Sequence, residues 1–180
     1  DQSTKLLFTV APDNTVVPKP VELGPVVDGN LRIVRSGITK DDNVIVVGAH
    51  LDSVGVGPGL NDNGSGPATI QEIAEQMAKV NPRNKVRFAL WGAEELGLVG
   101  STAYVAGLSA EEQDAITLYL NFDMIGSPNH VFFVYDGDDS DKFGAPAGPA
   151  GSAQIEKVFE NFYTERGIPF KGTDFSGRSD

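Results

Sequence analysis

The sequence predicts an α/β fold in three layers, with helices on both sides of a mostly parallel central sheet. Short β-branched apolar runs alternate with segments of helical periodicity along the chain. One run, Val44-Ile45-Val46-Val47, is continuously apolar, the pattern of a strand buried on both faces. Imidazole and carboxylate side chains follow three of the runs directly. That is where ligands bind in an open α/β sheet, outside the carboxyl ends of its strands.

Taken in order, Leu6 to Val10 reads as a strand. Residues 11–30 hold four prolines and few helix formers, and read as a loop or an irregular edge segment. Leu31 to Arg35 alternates partially, as a half-exposed strand does, and Thr39 to Asn43 is a turn into the buried strand 44–49. A glycine-rich loop, Gly55 to Gly66, leads into a helix with Pro67 in its first turn and Ile70, Ile73, Ala74 and Met77 on one face. Asn81-Pro82 closes it. Strands follow at Lys85–Trp91, Ile116–Phe122 and Val131–Tyr135, with helices near 100–106 and 110–115 between the first two. Residues 136–151 form a loop rich in Asp, Gly, Pro and Ala. A helix over about 152–166 presents Ile155, Val158, Phe159, Phe162 and Tyr163 as a core-facing stripe, and the tail from Phe170 is loop-like.

Length fits one domain, with residues 1–40 as an N-terminal edge segment and 41–180 as the core. Against 25 acidic residues there are 14 basic ones, a net charge of −11, which repels phosphate backbones and argues against a nucleic-acid partner. No apolar run approaches the roughly 18 residues of a transmembrane helix, so no membrane partner is expected. There is no cysteine, hence no disulfide or thiol chemistry. The first residue is Asp rather than Met, as expected of a processed or excerpted chain.

The candidate site is assembled by three strand ends. The first supplies His50 and Asp52, with Asp62 from the loop behind it; the second supplies Glu94 and Glu95; the third supplies Asp123. So many carboxylates around one histidine repel each other unless a divalent cation joins them. Nitrogen and oxygen donors together suit zinc, with manganese or cobalt chemically open. Asp62, with two oxygens, could bridge two ions of the kind that sit roughly 3.5–4 Å apart in two-metal hydrolases. One of Glu94 and Glu95 can bind metal while the other takes a proton from water. Asp52 is expected to accept from the second ring nitrogen of His50.

Four motifs, His50-x-Asp52, Leu60-Asn61-Asp62-Asn63-Gly64-Ser65-Gly66, Trp91-Gly92-Ala93-Glu94-Glu95-Leu96-Gly97 and Asn121-Phe122-Asp123-Met124-Ile125-Gly126, resemble in kind and order those of the co-catalytic dizinc aminopeptidases. These are secreted bacterial leucine-type enzymes related to aminopeptidase Y and glutamate carboxypeptidase. The resemblance spans about residues 40–180. It implies a zinc-dependent exopeptidase that releases N-terminal, apolar residues from peptide substrates, and an extracellular location. It implies that His50 and Asp123 bind one zinc, that Glu95 binds the other and that Asp62 bridges them. Glu94 is the implied general base. Met124, Gly177 and Arg178 are implied to contact the substrate. The family's second zinc takes a further histidine from a Tyr-His motif beyond the position of Asp180. A fragment, completed at its C-terminal side by a further segment or a second chain, is therefore expected.

Other readings are a carboxypeptidase of the same family, a glutaminyl-cyclase-like single-zinc enzyme, and a non-catalytic domain that has lost metal binding. Intact His50, Asp62, Glu94, Glu95 and Asp123 speak against the last. His130 reads as a surface turn residue. Asp136, Asp138, Asp139 and Asp141 have the composition of a calcium loop without its spacing or closing Glu, and read as a solvated loop. Trp91 reads as core, and no second histidine is placed to activate Ser65 as a nucleophile.

Overall fold

A computed structural model describes the backbone of residues 5–10, 16–27 and 31–36 and all atoms of residues 43–180. The turn expected over Thr39 to Asn43 lies, but for Asn43, outside the described residues. The elements run β1 (Lys5–Val10), β2 (Val16–Val27), β3 (Leu31–Ser36), β4 (Val44–His50), α1 (Ser65–Met77), β5 (Lys85–Trp91), α2 (Val99–Ala106), α3 (Ala110–Asp114), β6 (Ile116–Asn121), β7 (Phe132–Tyr135), α4 (Ser152–Glu165) and β8 (Phe170–Thr173).

The site rests on a parallel three-stranded sheet of order β5-β4-β6. As its middle strand, β4 can bury both faces, which is why its sequence shows no polar alternation. Val44 and Val46 face one layer with Trp91, Tyr104 of α2 and Tyr119. Val47 and Ala49 face the other, against Ile70 of α1. Helices thus cover both faces, as the alternation of the sequence predicts. The register pairs His50 with Trp91, and the ladder continues through Leu51 N to Trp91 O (2.7 Å) and Phe122 N to Gly48 O (3.0 Å). The carboxyl ends of β4, β5 and β6 therefore share one rim.

Four expectations differ from the structure. Residues 16–27 are a strand, not a loop, pairing antiparallel with β1 and β3. Each half of β2 pairs with one neighbour: residues 16–21 with β1, residues 22–27 with β3. Pro18 and Pro20 share parity in the half without β3, so their missing amides can fall on the unpaired side. Pro25 falls at the register break between Leu23 and Val26. The 131–135 strand does not extend the central sheet. It forms a parallel pair, β7-β8, with residues 170–173 of the expected loop-like tail. On α4 the expected stripe is narrower: Ile155, Phe159 and Tyr163 are half-buried, while Val158 and Phe162 are exposed. Tyr163 stacks between Phe132 and Phe170, which ties α4 to the short pair.

Candidate metal centre

His50 is the last residue of the buried strand and is itself buried, 1% exposed. Its Nδ1 lies 3.0 Å from the backbone oxygen of Asp52, which can only accept, so Nδ1 carries the proton. Nε2 then turns its lone pair toward three carboxylates. The oxygens of Asp123, Asp62 and Glu94 lie 3.2, 3.3 and 3.9 Å away. Such a nitrogen needs either a second proton or a cation. Burial opposes the second proton; the charges of Asp123 and Glu94 outweigh it and raise the histidine above its ordinary value.

Glu94 is also buried, 8% exposed. Burial pushes its carboxyl up to about 7; His50 opposes the rise, and Asp123, Asp180 and Glu95 add to it. Among the described residues no lysine or arginine forms an ion pair with Asp62, Glu94, Glu95 or Asp123. Ligand atoms of His50, Glu94 and Asp123 lie within 4.8 Å of one another. A bare imidazole nitrogen and several carboxylates, with no lysine or arginine paired to them among the described residues, make a donor set that fits a divalent metal.

The structure revises the part given to Asp52. Its carboxylate stands 3.7 Å from His50 Nδ1, beyond hydrogen-bond distance. It accepts instead from the amides of Glu94 (3.0 Å) and Glu95 (3.2 Å), which hold it below the ordinary carboxylate range although burial opposes them. The main chain of Asp52 orients the histidine; its side chain clamps the end of β5. That clamp meets a left-handed residue, Ala93 at φ 59°. Glu95 points elsewhere: its Oε1 accepts from Val54 N at 3.1 Å, and it is not among the three clustered ligands.

Asp123 is held from two sides. Its Oδ1 faces His50, and its Oδ2 accepts from Ser179 Oγ at 2.8 Å. Behind Ser179 runs an ordered series. Trp91 Nε1 donates to Tyr119 Oη (2.8 Å), Tyr119 donates to Asn121 Oδ1 (3.1 Å), and Asn121 Nδ2 donates to Ser179 Oγ (2.6 Å). An indole can only donate and a carboxylate can only accept, so all the protons in this series point one way. The sequence carries Asn121 only as the first residue of a motif, and gives neither it nor Ser179 a part in the site. An asparagine ending an otherwise apolar strand is the signal that could have found the first, since burying it without partners is costly.

The expected substrate residues sit less centrally. Met124 is exposed at φ 50°, and Gly177 is exposed. Arg178 pairs with Asp174 at 2.6 Å and donates to Thr173 and Ser176, rather than to the carboxylate cluster. His130 is exposed beside Phe132. The acidic loop is not simply solvated: Asp136, 2% exposed, accepts the amides of Asp138, Ser140 and Asp141 and organises it.

Over 139 residues the chain is 60% identical to an aminopeptidase of Pseudomonas aeruginosa, covering 77% of this chain and 26% of that protein. It is 54% identical over the same length to leucine aminopeptidase 2 of Trichophyton rubrum, covering 77% of this chain and 28% of that protein. The chain thus spans about a quarter of the length of these relatives. Among solved structures it is similar to BSAP, a zinc aminopeptidase from Bacillus subtilis, with a TM-score of 0.64 and 27% identity, over 92% of this chain and 36% of that one. The model of peptidase family M28 matches residues 30–180, and to that family the chain belongs.

Proposed function

We propose that this chain carries the metal centre of a zinc-dependent aminopeptidase, which removes N-terminal, preferably apolar, residues from peptides. The observation that carries the proposal is the convergence of His50, Asp62, Glu94 and Asp123 at one rim of the sheet, in a member of a peptidase family. His50, Asp62 and Asp123 would hold zinc; Glu95, whose carboxylate accepts from Val54 N in this structure, would turn toward Asp62 to serve as a further ligand. When bound, zinc supplies Lewis acidity, lowering the pKa of water and polarising the scissile carbonyl.

The chain's own residues do the rest. Glu94 exchanges a proton at its carboxylate, accepting one from the attacking water and returning it to the departing amine. Its burial favours the protonated form of the carboxyl, which suits a group that takes up a proton and gives it back. Asp52 fixes the peptide groups of Glu94 and Glu95, so the proton carrier and its neighbour keep separate directions. The carboxylates of Glu94 and Asp123 offer acceptors to the free α-ammonium of a substrate. That preference for a positive group is what selects an N-terminus over a C-terminus.

Hydrolysis of matched peptides by the whole protein tests the reading. A peptide with a free amino terminus and an apolar first residue should be cut one residue at a time, and its N-acetylated form should resist. Release of C-terminal residues, or equal cleavage of the acetylated peptide, would overturn the proposal.

A further inference from the structure

The two acidic ligands that come from loops, Asp62 and Asp123, lie on segments with no regular structure. Residues 51–64 form a long connection between β4 and α1, with Val54, Val56 and Leu60 exposed. The turn after β6 exposes Met124 and Ile125. Left free, such segments sample many conformations, and ordering them costs conformational entropy. Something must hold these carboxylates to one separation.

Three alternate side chains do so. Asn63 Oδ1 accepts from Met124 N (3.1 Å), Ser65 Oγ from Ile125 N (3.0 Å) and Asn61 Oδ1 from Gly126 N (3.1 Å). Three consecutive amides of one loop are thus taken by three alternate residues of the other. The members are cross-linked, since Ser65 Oγ also donates to Asn61 O at 2.7 Å. This occupies the serine hydroxyl, which has no nucleophilic part to play.

Asn63 sits at the middle and is only 1% exposed. Besides Met124 N, its Oδ1 accepts from Gly66 N (3.0 Å), and its Nδ2 donates to Phe122 O (3.1 Å). A single buried amide therefore grips the carbonyl before Asp123 and the amide after it, while its own backbone adjoins Asp62. Only a group with both an acceptor and a donor can do this; an aspartate would turn a lone pair toward Phe122 O. Glycines allow the close approach: a Cβ on Gly66 would lie 2.3 Å from Phe122 O, and one on Gly126 would lie 2.8 Å from Ser65 Cβ.

We propose that Asn61, Asn63 and Ser65 form one positioning device, which locks the Asp123 turn against the Asp62 turn and sets the separation of the two carboxylates before metal binds. Asn63 is its principal member. The inference rests on the reading of Asp62 and Asp123 as metal ligands.

Zinc affinity, measured on the whole protein by competition with a chromogenic chelator, tests it beside thermal unfolding of the zinc-free protein. Asn63→Ala should weaken zinc binding by about 10- to 100-fold, the usual effect of removing a partner that orients a ligand. Asn63→Asp keeps the acceptor and loses the donor, and should fall between Asn63→Ala and the parent. Asn61→Ala and Ser65→Ala each remove one tie and should each weaken binding by less. Unchanged zinc affinity in folded Asn63→Ala, with only a lower melting temperature, would overturn the inference by reducing the residue to a structural one. Should Asn63→Ala not fold, parent-like zinc affinity in both Asn61→Ala and Ser65→Ala would overturn it equally. Asp62→Asn and Asp123→Asn keep the two readings apart: if zinc binding survives both, the ligand assignment fails, whatever the asparagine variants do.

Discussion

At His50 two opposed forces meet. Burial disfavours a charged imidazole, yet three carboxylate oxygens face its bare nitrogen within 4 Å. A divalent cation resolves both at once, leaving the ring neutral and the carboxylates neutralised. Glu94 and Glu95 separate for a similarly local reason. The Asp52 carboxylate fixes both amides, after which Glu94 turns into the cluster and Glu95 toward Val54 N. Glu94→Gln should therefore lower kcat by about 10²- to 10⁴-fold, the range for loss of a general acid–base, while zinc content stays near that of the parent. Elemental analysis beside steady-state kinetics checks this. Loss of zinc together with activity would make Glu94 a ligand and exchange the roles of the two glutamates. The meeting of His50, Glu94 and Asp123 was legible in the sequence because each follows a strand end, and that of Asp62 because its glycine-rich loop returns to the same rim. The parts of Asp52, Asn63, Asn121 and Ser179 were not. Each acts through hydrogen bonds to partners far along the chain, up to 61 positions away for Asn63 and Met124, and no local pattern encodes such a pairing.

At the scale of the element, β4 carries the site because it is central and buried on both faces. Its inner contact with α1 runs through Ile70, 1% exposed, against Val47 and Ala49. Ile70→Ala should destabilise the protein by about 2–5 kcal/mol and Ile70→Val by about 0.5–1.5 kcal/mol, measured by denaturant unfolding. Equal costs would mean that the helix can collapse onto the strand and fill the space. Continuous apolar runs and helical periodicity made β4, β5, β6, α1 and α4 readable. The strand β2 was not, because its prolines mimic a loop; they are tolerated only where the strand lacks one of its neighbours. The four-residue β8 was hidden too, since too few residues carry its alternation and pairing with β7 alone defines it.

For the whole molecule, the excess of acid, 25 residues against 14 basic ones, is spent in part on buried carboxylates. Glu156, 5% exposed at the start of α4, accepts from Gly137 N at 2.9 Å. Burial raises its carboxyl above the ordinary value; the amide of Gly137 opposes the rise, and Glu160, Asp136 and Asp138 add to it. The folded state therefore holds this proton more tightly than the unfolded chain. The stability it gives is complete below the ordinary glutamate range and is lost as pH rises through the raised folded value. Glu156→Gln keeps an acceptor for Gly137 and cannot ionise, so its melting temperature relative to the parent should rise as pH increases from below the ordinary glutamate range through the raised folded value. A difference that does not change with pH would remove the burial argument.

At one rim of one sheet, two strand ends and a loop distant in sequence bring His50, Asp123 and Asp62 together in the arrangement of a zinc site. The most direct measurement is the zinc retained per molecule after exhaustive dialysis of the whole protein, by elemental analysis, with and without His50→Ala. The parent should retain zinc and the variant should lose one ion per molecule. A variant that holds as much zinc as the parent would contradict it.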